Sequence, residues 1–147
     1  MGDDMNTIGK RIKYLPATND PLSADAYYIE GDQYCYVYDV GNDGRSLQYI
    51  NQLSKEMVII LSHYHKDHTG NIVGLHYRDL YVGKKTYETI GKGKLVEDVI
   101  TINDGVKIEI IQKNKKFNIH IDGMDIVAEN FMNIDSIEKL LLKHGIK

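Results

Sequence analysis

The sequence predicts an α/β fold in which strand pairs and helices stack in layers. Three observations carry that expectation. Strand-rich runs come in pairs joined by tight turns, segments with helical periodicity separate them, and a short apolar strand runs directly into a cluster of histidines. With 147 residues, 42% hydrophobic and 27% charged, the chain is sized for one domain over residues 1–147.

Taken in order, the first ten residues, MGDDMNTIGK, carry two acids and no apolar run, which is not a signal-peptide pattern. Pro16 and Pro21 mark an early loop, KYLPATNDPLSAD. Residues 26–30 and 34–39 flank Gly31-Asp32 and read as a hairpin. Asn42 or Asp43 can cap a helix near 45–53, where Leu47, Ile50 and Leu53 share one face. Residues 57–61, MVIIL, form a short buried strand. A helix starting at Thr69 is weakened by Gly70 and Gly74, and another runs near 85–90. Two further hairpins join 99–102 to 106–112 through Asn103-Asp104-Gly105, and 117–121 to 124–129 through Asp122-Gly123. Glycine after aspartate supplies the positive φ such turns require. Asp135 and Glu138 resemble a capping box before an apolar stripe of Ile137, Leu140 and Leu141.

Composition narrows the function classes. Lys plus Arg number 18 against 21 Asp plus Glu, a formal charge of −3, which argues against a strongly basic nucleic-acid coat or a general pull to anionic membranes. No apolar run approaches the ~20 residues a membrane-crossing helix needs, so a soluble protein without a membrane partner is expected. The single cysteine, Cys35, cannot pair within the chain, and a reduced, cytoplasmic setting follows as the simple expectation.

Only one segment speaks of chemistry. The strand at 57–61 leads straight into His63-x-His65-x-Asp67-His68. Residues two apart on extended chain project to one side, so His63 and His65 can converge on one ion. The turn after Lys66 can swing Asp67 and His68 toward an adjacent position. Imidazole and carboxylate suit Zn²⁺, and also Fe or Mn. Four such groups exceed what one ion needs from one loop, which hints at two neighbouring metals. The bland alternative is a histidine-rich surface loop in which Asp67 only caps the next helix.

HYHKDH resembles the metallo-β-lactamase superfamily, whose hallmark is His-x-His-x-Asp-His at the end of a buried strand. The likeness extends upstream through DAYYIEGDQYCYVYDVGNDG, ending in an Asp-x-Gly turn at Asp39-Val40-Gly41. It implies an αββα sandwich, in a minimal or shortened version, with metals at one edge of two sheets. By that pattern His63 and His65 hold the first metal, Asp67 and His68 the second, and Asp39 orients a ligand by hydrogen bonding. Departures are equally plain. The loop QKNKKF, residues 112–117, holds no histidine where relatives carry a third, and Asn130 stands where a bridging aspartate is expected. His144-Gly145 matches the last family histidine, so Asp67, His68 and His144 would leave one open position for water. One Zn ion or two both fit this count.

The resemblance implies a metal-dependent hydrolase with metal-activated water, Asp67 serving as the catalytic carboxylate, and a small-molecule or phosphodiester substrate. The alternative is a catalytically impaired relative with a binding or regulatory role, motivated by the missing histidine and Asn130. A homodimer supplying the missing ligand from a second chain is a third reading. Remaining candidates have plainer explanations. His144 can serve a helix dipole, His120 a sheet surface, His76 a solvent-facing loop and Cys35 a small core position. The basic clusters Lys92-Gly93-Lys94 and 113–116 can touch a phosphate backbone, although net charge does not support nucleic acid as a partner.

Overall fold

A computed structural model describes residues 6–9, 11–19, 22–113, 116–121 and 124–127. The expected helix after Asp135, together with Asn130 and His144, lies outside the described residues. Two sheets form the frame. The larger has seven strands in the order β1 (Asn6–Gly9), β2 (Ile12–Leu15), β5 (Ala26–Glu30), β6 (Cys35–Tyr38), β7 (Met57–Ile60), β8 (Asp79–Val82) and β9 (Lys94–Leu95). The smaller has four, β10 (Ile100–Asn103), β11 (Lys107–Lys113), β12 (Lys116–Ile121) and β13 (Met124–Val127). A two-residue ribbon, β3 (Thr18–Asn19) with β4 (Leu22–Ser23), occupies the region expected as an open loop, and β2 reaches into its start.

Within the large sheet the pairing changes sense at β6. β2, β5 and β6 run antiparallel, whereas β6, β7 and β8 run parallel with Tyr38 opposite Ile60. Parallel strands need crossovers. These are α1 (Gly44–Asn51) between β6 and β7, and α2 (Lys66–Thr69) with a 3-10 turn (Gly70–Gly74) between β7 and β8. α3 (Lys84–Ile90) links β8 to β9. Asp43 caps α1 by accepting from the Ser46 backbone N–H at 3.3 Å, as its side-chain chemistry predicts. The second crossover differs from the expected helix at Thr69. It starts earlier, at Lys66, and tightens to 3-10 geometry from Gly70, where a side chain would collide with the Asn42 carboxamide. Close approach of two loops selected that glycine at the expense of helix propensity.

The large sheet is covered on both faces, which is why β6 and β7 are buried at every position rather than alternating. On one face Cys35, Val37, Ile59 and Leu61 pack with Ile50, Ile72 and Leu75 from the helical side. On the other, Tyr36, Tyr38, Val58 and Ile60 meet Ile108, Ile110, Phe117, Ile119 and Ile121 of the small sheet. β12 shows the complementary period-two alternation, with Phe117, Ile119 and Ile121 turned inward. This is the α/β sandwich expected from the sequence, with its helix and two-sheet layers described. No helix among the described residues is long and apolar enough to cross a membrane.

Two turns lock the sheets at one end. Asp104 accepts from the backbone N–H groups of Gln33 and Tyr34, each at 2.9 Å, and from the Tyr36 hydroxyl at 2.9 Å. The Asp32 N–H donates to the Asp104 carbonyl at 2.8 Å. Gly105 adopts φ +74°, the left-handed backbone expected of this turn. Desolvation works against the Asp104 carboxylate, but the donated hydrogen bonds outweigh it and hold its pKa below the ordinary value. Asp104→Ala is expected to cost about 1–3 kcal/mol in urea unfolding. Because the folded pKa is depressed, this contribution is present above the unfolded value of about 3.9 and disappears as pH falls through the lower folded value. The variant should therefore lose less stability on acidification than the parent. Parallel acid limbs would contradict this assignment.

Candidate functional site

β6 and β7 end side by side, and the loops leaving their carboxyl ends build the site, the usual place for function in parallel sheets. Asp39, the first residue beyond β6, has φ +62°. A non-glycine residue in left-handed backbone is uncommon, although aspartate tolerates it better than most. The bend aims its carboxylate across to the β7 loop. There it accepts from the Ser62 backbone N–H at 2.7 Å, the Ser62 hydroxyl at 2.6 Å and His68 Nδ1 at 2.7 Å.

This arrangement fixes two tautomers by elimination. An ionised carboxylate only accepts, so the Ser62 hydroxyl spends its proton on Asp39, and His68 donates from Nδ1. The Ser62 oxygen then accepts from His63 Nδ1 at 2.8 Å. His63, whose protonated form burial disfavours, thus presents a bare Nε2 lone pair, whereas the Nε2 of His68 is turned toward the Asp67 carboxylate. His63, Asp67 and His68 are 3%, 2% and 1% exposed, so no bulk water satisfies them. Among the described residues, His63 Nε2, His65 Nδ1, both Asp67 oxygens and His68 Nε2 are buried and find no hydrogen-bond partner. Orphans of this kind are costly and call for an explanation.

The loop folds this way because it is tied at several points. The Ala24 and Val40 N–H groups donate to the carbonyls of Asp67 and His68, each at 2.9 Å. Asn71 donates its side-chain amide to the Val40 and Asp43 carbonyls at 3.0 and 2.9 Å. The four predicted residues of the loop are therefore drawn together. The His63 ring centre lies 4.7 Å from that of His65 and 4.1 Å from that of His68. His68 Nε2 and Asp67 Oδ2 stand 3.4 Å apart.

Electrostatics follow from this crowding. Burial, then His68, Lys116 and His65, push the His63 pKa down to about 2. Burial also lowers His65 despite the opposing pull of Asp67. Asp67 is raised by burial. For His68 burial opposes the charged form, but the Asp39 carboxylate beside it prevails and raises its pKa.

Donor types and orphaned atoms suit a metal, but the set is incomplete. Among the described residues no group of three or more His, Cys, Asp or Glu side chains is set to hold an ion. Across the site the start of β12 is pinned in place, since the Phe117 N–H donates to the Ser62 carbonyl at 2.8 Å and the Tyr38 hydroxyl donates to the Phe117 carbonyl at 2.5 Å. The same strand carries Lys116, whose positive charge helps to lower His63 and His65 and opposes the rise at His68.

Other candidates stay apart. His76 is exposed, and His120 sits on the face of β12 opposite the inward-turned Ile119 and Ile121. Cys35 is fully buried with a thiol pKa raised to about 11 by desolvation, which fits a core position and not a nucleophile. Sequence reasoning missed Ser62, Tyr38 and Lys116. Ser62 had a signal, a hydroxyl at the strand end directly before the first histidine, whereas the other two act only through the docking of the second sheet.

Two sheets packed face to face, helices on the far side of the larger one, and a His-x-His-x-Asp-His loop at the carboxyl end of β7 define a metallo-β-lactamase-type sandwich. The sequence profile of the metallo-β-lactamase superfamily matches residues 19–83, and the domain is homologous to that superfamily through this segment. A probable metallo-hydrolase of Bacillus subtilis strain 168, YqgX, is 38% identical over 55 residues, which make up 34% of this chain and 25% of that protein. A metallo-β-lactamase from Pontibacter korlensis superposes with TM-score 0.60 at 13% identity, covering 96% of this chain and 86% of its own. MEM-A1, a subclass B3 metallo-β-lactamase from a soil metagenome library, gives TM-score 0.61 at 15% identity over 85% and 61% of the two chains. The match thus spans a quarter of the curated relative and about three fifths of the MEM-A1 structure.

Two outcomes follow for the apo protein. Asp39→Asn keeps a side chain that tolerates left-handed backbone but removes the charge and one acceptor oxygen. It should cost about 2–3 kcal/mol and release the Nδ1–H tautomers of His63 and His68, read by imidazole ¹⁵N chemical shifts. Asp67→Ala removes two buried unpartnered oxygens. In EDTA it should raise stability by about 1–2 kcal/mol. A loss of stability would mean that the carboxylate already has a partner.

Proposed function

We propose that this chain is a catalytically impaired metallo-β-lactamase-fold domain with a binding or regulatory role, retaining part of an ancestral metal loop. The observation that supports this best is the opposing loop. Residues 112–117 carry no histidine, and the positive charge of Lys116 opposes further positive charge on His63 and His65. Like charge disfavours a first divalent ion beside His63 and His65, so at most one ion is held, by the Asp67 and His68 end of the loop. His144 belongs to the second of the proposed positions and stands outside the described residues.

A second reading, a zinc-type hydrolase with Asp67 as its catalytic carboxylate, is favoured by the five orphaned polar atoms. A bound Zn²⁺ would supply Lewis acidity and a water ionising near neutral pH. In that case a phosphodiester is the preferred substrate, Fe or Mn could replace Zn, and a second chain could contribute the missing ligand.

Elemental analysis after zinc loading and desalting separates the two, combined with turnover of bis(p-nitrophenyl) phosphate. The binding reading expects no more than one equivalent and no turnover above buffer. Two equivalents, or turnover abolished in Asp67→Ala, would establish the hydrolase and overturn it.

A further inference from the structure

A cavity of about 610 Å³ opens beside the histidine loop. Ser62 and Tyr64, the residues on either side of His63, line it together with Phe117 of β12. α3 supplies the facing wall, which carries Lys84 and Lys85. We propose that this cavity binds a small phosphorylated molecule, its phosphoryl group held by Lys84 and Lys85 and its body against Tyr64 and Phe117. The inference deepens the binding role proposed above and rests on it.

Size, charge and wall chemistry converge on that ligand class. The volume falls within the ~300–1,000 Å³ of typical small-molecule sites and is too small for a folded partner. Two ammonium groups face one carboxylate, Glu88, in a chain whose net charge is −3, so the local sign runs against the whole molecule. The Lys85 Nζ lies 5.5 Å from the Tyr64 ring centre, which draws one cation to the cavity side of α3. A dianionic phosphoryl group matches adjacent lysines better than a single carboxylate does. Aromatic surface at Tyr64 and Phe117 suits a planar or apolar ligand body.

Calorimetric titration with inorganic pyrophosphate and with adenosine monophosphate, in EDTA, tests the cavity without involving a metal. One-site saturable binding is expected, weakening as salt rises. The double variant Lys84→Ala/Lys85→Ala should bind at least about ten-fold more weakly with an unchanged melting temperature, since both side chains are exposed. Lys92→Ala, which removes an exposed lysine beside Tyr77, should bind like the parent. Absence of saturable binding, or equal affinity in the double variant, overturns the proposal. So does tighter binding of a single-stranded oligonucleotide than of either small probe. Metal content is measured separately, so failure of the binding site and failure of the proposed loop chemistry give different results.

Discussion

The Asp39 carboxylate is the constraint around which this end of the molecule is organised. It accepts three hydrogen bonds from two residues of a neighbouring loop, and it does so from a left-handed backbone that few side chains tolerate. A conformation of that kind costs on the order of 1 kcal/mol or more and persists only where the surroundings over-determine it. Here the Asp39 N–H is fixed to the Ile60 carbonyl at 2.9 Å, so the ends of β6 and β7 cannot slide apart. Through Ser62 the same carboxylate reaches His63 and through Nδ1 it reaches His68. One buried charge therefore sets the tautomer and direction of two imidazoles at once.

The second sheet completes the site from the other side. Its packing against Tyr36, Tyr38 and Ile60 is ordinary apolar burial, but two polar fastenings give it register. At one end the Asp104 turn grips the turn between β5 and β6. At the other, Tyr38 and Ser62 hold Phe117 at the start of β12, next to Lys116. The consequence is electrostatic. Asp39 and Ser62 fix the direction of two imidazoles, and the positive charge of Lys116 opposes protonation of the loop histidines. The domain thus has a hydrolase-superfamily fold, and its catalytic competence does not follow from that architecture.

Much of this was legible in the chain. The hairpin of β10 with β11 rests on Gly105 in left-handed backbone, and the Asp43 cap on a side chain that competes for backbone N–H groups; both are local effects. His63, His65, Asp67 and His68 were visible because their spacing on a strand end has a direct geometric meaning. Asp39 was legible only through family resemblance. The short strands β8 and β9 and the ribbon of β3 with β4 left no clear signal, because strands of two to four residues are fixed by their neighbours and not by propensity. The start of the second crossover was misplaced for a related reason. Asn42, distant in sequence, determines how Gly70 is used.

By itself the sequence determined the layered α/β class, the strand that ends in histidines and the absence of a histidine in residues 112–117. These depend on residue type and short spacing, which a linear chain displays. Tertiary structure decided which nitrogens of His63 and His68 are held by Ser62 and Asp39, which polar atoms lack partners among the described residues, and that a cavity walled by α3 opens beside them. Those properties arise from contacts between residues about 20 to 80 positions apart, where burial removes water and lets a single charge or hydroxyl determine its neighbours.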